Sequence, residues 1–388
     1  MKRNPERFFI VAPIELVDDL ENEIIEAWPF LLDETGRPCL DRLILEKFVG
    51  GIEIECRPVF AFQMNRILKI ASRILWRKSK IKAREIFQLE SQLKSTPWSE
   101  WIPAGKKIKF SIAASESKTN NEKKIHAMLN KLLSKKFQIV DEDEDFHFYL
   151  RHHQNEMTIS LDTSGDHLHK RSLSVHKTEA PIRETLAAAA LREMLTDISS
   201  SELKSITWLD PMAGSGTHGA ELLDYNSLSP RTDFSFFSFT EVPKILKSES
   251  FWLNHLWAPK NNFKNIILAD QNPKALQALR KNFTQPEGNI IILERDLFLM
   301  DSRASYSLSQ DEKLFVIINP PYGERLGLSD PRKELSKILD HCWQKLKPQR
   351  LGFWSPVSAG ELKLEARLVK RKKIKNGGLP VYFSVWDL

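Results

Sequence analysis

The pattern of hydrophobic and polar positions predicts an α+β region up to about residue 166. The apolar run at residues 7–11 predicts a strand, and residues 107–112 alternate between polar and apolar side chains, which predicts another strand. Residues 14–28 and 60–74 instead repeat their apolar positions with helical spacing. Short strands and helices mixed in this way are typical of a two-layer α+β module.

From about residue 173 onward, apolar strands alternate with helices. The predicted strands end at Asp210, at Asp270, near Leu293 and at Ile318. The predicted helices begin near Arg183, Ser215, Pro273 and Pro331. Strands joined by helical crossovers form a parallel sheet, so we expect an α/β, Rossmann-like domain. Residues 224–265 are irregular but rich in Phe and Trp, which predicts a packed insertion.

Composition narrows the function classes. Hydrophobic residues make up 41% and charged residues 28% of the 388, and no apolar run approaches the ~20 residues that span a bilayer. We therefore expect no membrane segment, no secretory signal and a cytoplasmic location. The three cysteines, Cys39, Cys56 and Cys342, form no CxxC pair, so we expect neither disulfides nor a metal site. The net charge is +6, and residues 69–84 carry seven basic residues and no acid, which favours a polyanionic partner.

A glycine-rich turn follows the strand that ends at Asp210. Residues 207–217 read Thr-Trp-Leu-Asp-Pro-Met-Ala-Gly-Ser-Gly-Thr. Gly214 and Gly216 allow a tight turn and close approach of the backbone to a ligand. The spacing fits neither the dinucleotide fingerprint nor a P-loop. An Asp-Pro-x-x-Gly-x-Gly-Thr turn instead indicates binding of S-adenosylmethionine (SAM).

Two further strands end in acids that suit the same ligand. Asp270 ends the next strand, where a carboxylate can accept both hydroxyls of a ribose. Asp296 follows the strand after that and can accept a hydrogen bond from an adenine amino group. Either acid alone is an ordinary helix cap. Their order after the glycine turn predicts cofactor contacts.

An Asn-Pro-Pro-Tyr motif follows the apolar strand at residues 315–318. Two prolines fix the backbone and remove two N–H donors, which leaves carbonyl oxygens free to accept. The Asn319 side-chain oxygen and the Pro320 carbonyl can therefore accept the two protons of an exocyclic amine. Tyr322 can stack on a base flipped out of its helix. This motif predicts methyl transfer to an exocyclic amine without a metal or a covalent nucleophile.

Beyond these motifs, most of the chain resembles the THUMP-containing bacterial RNA guanine-N2 methyltransferases, and most closely the branch that acts on large-subunit ribosomal RNA. The resemblance rests on residues 50–53, 65–75, 117–118, 167–171, 180–189, 319–326 and 376–380. It implies a ferredoxin-like region at 1–64, a THUMP RNA-binding domain at 65–166, a linker at 167–182 and a methyltransferase domain at 183–388. We expect a monomer with this single catalytic domain.

The resemblance also implies roles for individual residues. The methionine end of SAM would be held by Asp210, Gly214 and Gly216, with Thr185 at the methionine carboxylate. Asp270 would contact the ribose, Asp296 the adenine, and Asn319, Pro320 and Tyr322 the target base. Pro211, Thr217 and Leu297 are expected to bind the cofactor as well. The RNA contacts expected in the N-terminal region are Arg73, Arg77, Lys80 and Lys118.

The function that these residues imply is transfer of a methyl group from SAM to the exocyclic amine of a guanosine in 23S rRNA, free or in a precursor of the large ribosomal subunit. Three alternatives stay open. A guanine-N2 enzyme acting on tRNA and a DNA adenine-N6 enzyme could use the same Asn-Pro-Pro-Tyr motif. The third is a catalytically silent RNA-binding assembly factor, which the intact motif set disfavours.

Overall fold

The computed structural model describes residues 4–171, 176, 182–253, 255, 263–284, 289–301, 312–321, 331–362, 364–376 and 378–388. The chain forms two compact units. Unit 1 comprises Met1–Lys170 and Pro230–Trp257, and unit 2 comprises Arg171–Ser229 and Ala258–Leu388. In the described ranges, no helix combines the length and the apolarity that a membrane crossing requires.

Unit 1 contains one mixed sheet. Its strands are β1 (Glu6–Val11), β2 (Ile44–Phe48), β3 (Gly51–Cys56), β4 (Arg73–Lys82), β5 (Lys107–Ser115), β6 (Gln138–Ile139), β7 (Phe146–His153) and β8 (Glu156–Asp162). Their order is β2-β3-β1-β4-β8-β7-β5-β6, with β5 parallel to β6 and β7 and the other pairs antiparallel. The expected boundary between residues 64 and 65 falls inside a helix. Because β1 pairs with β4, the sheet is continuous across that boundary.

Helices accompany this sheet and supply its apolar layer. They are α1 (Val17–Ala27), α2 (Pro58–Ile67), α3 (Ile86–Ser95), α4 (Trp98–Trp101) and α5 (Glu122–Leu133). Along β1, Phe8 and Ile10 are fully buried while Arg7 and Phe9 lie on the other face. The alternation follows from the two-residue period of a strand, so one face of the sheet is packed and the other is more open.

The helix expected at residues 60–74 is shorter than the apolar spacing suggested: α2 ends at Ile67. Beyond that point, the buried carboxylate of Glu23 accepts the backbone N–H groups of Lys69 at 2.8 Å and Ile70 at 3.0 Å. These amides would otherwise continue the helix. From Arg73 onward the chain forms β4, which pairs with β1 on one side and with β8 on the other, so most of the basic run lies on an interior strand of the sheet.

The aromatic-rich insertion is packed, as the sequence predicted, and residues 230–257 belong to unit 1. The ring of Phe236 stacks on Phe62 of α2 with centroids 4.9 Å apart, and Phe239 stacks on Trp76 at 6.0 Å. His255 Nε2 lies 2.8 Å from the Gln63 side-chain oxygen. The insertion, which includes the short helix α8 (Glu249–Leu253), thereby completes the core of a unit distant in sequence.

Unit 2 contains the second sheet. Its strands are β9 (Ile206–Asp210), β10 (Asn265–Asp270), β11 (Ile290–Glu294), β12 (Lys313–Ile318), β13 (Arg350–Ser355), β14 (Arg367–Asn376) and β15 (Leu379–Asp387). The order is β11-β10-β9-β12-β13-β15-β14, parallel from β11 to β13, with β15 and β14 antiparallel. The predicted parallel sheet is confirmed. Its helices are α6 (Glu184–Met194), α7 (Thr217–Leu223), α9 (Pro273–Asn282), α10 (Pro331–His341) and α11 (Ala359–Leu362).

The strand order places a switch point between β9 and β12. From β9 the chain moves through β10 to β11 on one side, and it then returns to β12 on the other side. In open parallel sheets, ligands bind outside the carboxyl ends of the strands at such a point. The glycine turn after β9 and the Asn-Pro-Pro segment after β12 flank it.

Candidate active site

The glycine turn between β9 and α7 depends on a left-handed backbone. Gly214 has φ 56° and Gly216 has φ 85°, a region that side-chain-bearing residues seldom adopt. A Cβ at Gly216 would lie 2.5 Å from the Phe283 ring and 2.8 Å from the Leu279 side chain. Glycine is therefore required there both by conformation and by the close approach of the neighbouring chain.

Asp270 holds this turn against the end of β10. Its Oδ2 accepts the Gly214 N–H at 2.9 Å, and its Oδ1 accepts the Asn272 N–H at 2.8 Å. Burial raises the pKa of Asp270, against the lowering effect of these two hydrogen bonds. Each carboxylate oxygen can accept a further bond. Asp270 is therefore a partly buried acceptor beside a turn whose backbone a ligand can approach.

Asp210 is more deeply buried than Asp270, and both of its carboxylate oxygens accept hydrogen bonds from the chain. The residue is only 2% exposed, its Oδ1 accepts the Met212 N–H at 3.1 Å, and its Oδ2 accepts from His218 Nδ1 at 2.8 Å. An ionised carboxylate has no proton to donate, so Nδ1 carries the hydrogen in this pair. Asp210 thus fixes the shape of the turn and the orientation of the imidazole.

His218 is a candidate site residue that the motif pattern did not reveal. A lone histidine after a Gly-Thr pair is ordinarily a plain helix residue, and the only signal was its separation of eight residues from Asp210. Its Nε2 is buried and has no hydrogen-bond partner among the described residues. The buried Ser215 Oγ in the same turn also lacks one within the described ranges. Two polar atoms beside the turn therefore have unused hydrogen-bonding capacity.

The remaining cofactor candidates lie on neighbouring elements. Thr217 is the first residue of α7, and Thr185 is in the first turn of α6; both are buried, as is Pro211. Asp296 caps a short 3₁₀ turn, accepting the Phe298 N–H at 2.9 Å, and Leu297 is buried in the core. Asp296 therefore has the capping role that any strand-end acid can have, and its contact with adenine stays a prediction.

The Asn-Pro-Pro segment directly follows β12. Asn319 is partly buried, Pro320 is buried and Pro321 is exposed. Asn319 Oδ1 is shielded from solvent and accepts no hydrogen bond from any described residue. A buried acceptor without a donor costs free energy, so an unfilled amide oxygen at a strand end marks a place where a donor from a ligand fits. Tyr322 lies outside the described residues.

The four RNA contacts expected in the N-terminal region have different surroundings within unit 1. Arg73 forms an ion pair with Asp162, whose side chain is fully buried, and Arg77 lies 3.3 Å from Glu53 and over the Phe9 ring. Lys80 and Lys118 pair with Glu156 and Glu85 at the surface. The charge of Arg73 is therefore neutralised by a carboxylate of the same sheet, which gives this arginine a structural role that the sequence did not predict.

Among the described residues, no group of three or more His, Cys, Asp or Glu side chains is arranged so that it could hold a metal ion. Cys39, Cys56 and Cys342 are each buried and unpaired by disulfides. Among the described residues beside the switch point, the groups that a ligand could contact include carboxylate, imidazole, hydroxyl and amide groups together with backbone groups.

Comparison with known proteins identifies the family to which the chain belongs. Residues 171–376 match the family model described as RMKL-like, methyltransferase domain. A relative from Syntrophotalea carbinolica is named ribosomal RNA large subunit methyltransferase K/L. It is 26% identical to this chain in an alignment 405 residues long, which covers 99% of this chain and 54% of the relative. The chain therefore spans about half the length of that curated relative.

Solved structures share the fold over nearly the whole chain. The structure of SMU.472 complexed with SAH has a TM-score of 0.75 at 20% identity, covering 99% of this chain and 98% of the other. TrmN from Thermus thermophilus has a TM-score of 0.68 at 14% identity, covering 98% and 99%. At these identities the two structures establish the common architecture.

Proposed function

Because the chain belongs to the RMKL-like methyltransferase domain family, we propose that it transfers a methyl group from SAM to the exocyclic N2 amine of a guanosine in large-subunit ribosomal RNA. The name of the Syntrophotalea relative supports the RNA class, and the SAH held by SMU.472 supports the cofactor. The observation that carries the chemistry is the buried Asn319 Oδ1, which has no donor among the described residues.

The residues around the glycine turn fit SAM. Gly214 and Gly216 let the backbone approach a ligand, and the Ser215 hydroxyl has an unused hydrogen bond. Asp270 has acceptor capacity for ribose hydroxyls beyond the two backbone N–H groups that it already binds. When bound, SAM supplies an electrophilic methyl group. In this proposal Thr185, Thr217, Asp296 and Leu297 supply further contacts to the cofactor.

The chain's own residues would prepare the acceptor amine. The lone pair of a planar exocyclic amine is delocalised into the base, which makes the nitrogen a poor nucleophile. Asn319 Oδ1 and the Pro320 carbonyl would accept the two amine protons and favour a tetrahedral nitrogen. Because Asn319 Oδ1 is shielded from solvent and accepts no hydrogen bond from a described residue, it would be available as an acceptor for the amine. Tyr322 is proposed as the stacking partner of the base.

The identity of the RNA is tested in cells. In a strain lacking the gene, we expect one N2-methylguanosine to disappear from 23S rRNA while the modified guanosines of tRNA remain. Nucleoside mass spectrometry of the separated RNAs measures both. Loss of N2-methylguanosine from tRNA alone would show that tRNA is the substrate. Loss of N6-methyladenosine from DNA would support the adenine alternative. An unchanged set of methylated nucleosides would favour a silent assembly factor.

Replacing Asp270 tests the cofactor site. Asp270→Ala should weaken SAM binding by about 1–3 kcal/mol, the scale of hydrogen bonds to a charged group. Calorimetry measures the affinity, and a thermal melt separates lost ribose contacts from a loosened turn, since Asp270 also binds the Gly214 N–H. Asp340→Ala, at an exposed acid of α10, is the control and should bind SAM normally. Unchanged affinity in a folded Asp270→Ala variant would remove Asp270 from the site.

A further inference from the structure

Unit 1 carries a groove on the more open face of its sheet. The groove encloses about 940 Å³ and extends from β2, β3 and β1 to the hairpin of β7 and β8. Its aromatic wall is Phe9 and Phe48, and Lys82, Arg84 and Arg151 line the hairpin side. We call it the sheet groove. All the residues that form it belong to one compact unit, so its shape is a property of that unit alone.

Charge in the sheet groove is predominantly positive. Six basic side chains line it: Arg7, Arg77, Lys80, Lys82, Arg84 and Arg151. The lining contains three acids, Glu46, Glu53 and Glu156. A concave surface with an excess of one sign concentrates counter-charged ligands more strongly than a convex one. The groove is therefore matched to a polyanion.

Within the described ranges, three of the six groove cations form ion pairs within the sheet and three do not. Arg7 and Arg77 lie within 4 Å of Glu53, and Lys80 lies within 4 Å of Glu156. Lys82, Arg84 and Arg151 are exposed, and the described part of the chain places no carboxylate within ion-pairing distance of them. Like charges gathered in one concavity repel one another and are relieved when phosphates bind.

The register of the strands fixes the spacing of three groove cations, Lys80, Lys82 and Arg151. Lys80 pairs with Thr158, and Thr158 with Arg151, so the two cations lie on one face about 10 Å apart, two strand spacings. Lys82 lies two residues further along β4 and repeats the same face. A set of cations held at fixed intervals by strand pairing suits a ligand with regularly repeated negative groups better than a single small anion.

The aromatic wall gives the groove a second property. The Phe48 side chain remains exposed, and its ring lies 6.2 Å from that of Phe9 in an edge-on arrangement. Gly51 makes room for Phe9, because a Cβ there would lie 2.8 Å from the ring. Exposed rings beside rows of cations are the features by which proteins bind single strands, whose unstacked bases offer their faces.

We propose that the sheet groove binds a single-stranded RNA segment that flanks the modified guanosine. The proposal rests on the proposed function, which makes RNA the substrate. Lys82, Arg84 and Arg151 form ionic contacts with the phosphates of the RNA backbone, and Phe48 stacks with a base. The assignment moves the principal RNA contacts of this region away from Arg73, whose charge is used within the sheet.

The test compares two triple variants of the full chain. Lys82→Gln/Arg84→Gln/Arg151→Gln removes the three unpaired cations of the groove. Lys123→Gln/Lys124→Gln/Lys135→Gln removes the same charge from exposed positions on and just after α5. The probe is a fluorescein-labelled 12-nucleotide single-stranded RNA of mixed sequence, and its anisotropy is followed from 50 to 200 mM salt. Thermal melts of both variants should match the wild type, because neither set of side chains is buried.

We expect the groove variant to raise Kd at least tenfold at 50 mM salt and to reduce the salt slope by about 2, roughly 0.7 for each lost phosphate contact. The α5 variant should stay within about twofold of the wild type. Phe48→Ala should raise Kd about tenfold without changing the slope, since stacking releases no counterions. Equal weakening by both triple variants, tighter binding of a 12-base-pair duplex, or equal displacement of the probe by polyglutamate would each overturn the proposal.

Methylation assays separate this proposal from the proposed function. With 23S rRNA as substrate, the groove variant should raise KM for RNA and leave kcat at saturating RNA unchanged, because the groove positions the substrate and takes no part in the chemistry. If the wild type forms no N2-methylguanosine but the groove variant still loses affinity for the probe, the catalytic assignment fails alone. If the groove variant methylates with the wild-type KM, the groove assignment fails alone.

Discussion

Replacing Asn319 with alanine is expected to lower kcat by about 10²–10³-fold, the cost typical of removing one preorganised hydrogen-bonding group from an active site. The affinity for SAM should stay within about twofold, because the Asn319 amide acts on the reacting amine rather than on the cofactor. Calorimetry for SAM binding and single-turnover methylation of guanosine-containing RNA measure the two quantities separately.

Two comparisons make the Asn319 result specific. Asn319→Asp keeps an acceptor oxygen at the same place and should retain more activity than Asn319→Ala. Asn265→Ala, at the start of β10 on the opposite edge of the sheet, should methylate at the wild-type rate. If Asn319→Ala keeps the wild-type kcat, the buried acceptor after β12 takes no part in the reaction, and the proposed mechanism is wrong.

Removal of Arg73 should have the largest effect on stability. Arg73→Gln would leave the carboxylate of Asp162 fully buried without its cation, which costs about 3–5 kcal/mol in comparable pairs. Urea denaturation measures the free energy of unfolding, and hydrogen exchange of peptides from β4 and β8 locates the loss in unit 1. Lys80→Gln on the same strand breaks only the exposed pair with Glu156 and should cost less than about 1 kcal/mol.

The pH dependence of the Arg73→Gln variant identifies the cause. Burial raises the pKa of Asp162 to about 6, and the Arg73 guanidinium opposes that rise. Without Arg73 the pKa of Asp162 should rise further. The carboxyl group is then neutral in the folded variant at low pH, and stability is lost as pH rises through its folded pKa. The stability deficit against the wild type should therefore be larger at pH 8 than at pH 5. A deficit that does not change with pH would exclude this explanation.

A compensating variant distinguishes structure from RNA binding at Arg73. Arg73→Gln/Asp162→Asn removes both charges together and should recover much of the stability that Arg73→Gln loses. RNA affinity should recover with it, since the guanidinium serves the sheet. If the stable double variant still binds RNA weakly, Arg73 contacts RNA directly, as the sequence predicted.

Much of unit 2 could be predicted because its candidate site residues lie at strand ends. The apolar runs before Asp210, Asp270 and Ile318 fix those ends, and in a parallel sheet they meet at one edge. Gly216 was predictable for the same reason, since a tight turn after a strand requires its conformation. The hydrogen bond between Asp210 and His218 was not, because a single histidine carries no periodic signal.

The N-terminal unit was less predictable because its contacts are distant in sequence. The basic run containing Arg73 and Arg77 resembled a free cationic surface, since the neutralising acid Asp162 lies 89 residues further on. Residues 230–257 were expected to be packed, but nothing in their composition indicated that they complete unit 1. Local patterns predict elements, whereas long-range pairing decides which charges remain available.

The most direct test of the proposed chemistry follows the methyl group itself. The purified chain is incubated with SAM carrying a deuterated methyl group and with 23S rRNA from a strain lacking the gene, and the RNA is digested to nucleosides for mass spectrometry. The proposal predicts the label in N2-methylguanosine, and its loss when Asn319→Ala replaces the wild type. Label in N6-methyladenosine, or in no nucleoside although SAM is bound, would contradict it.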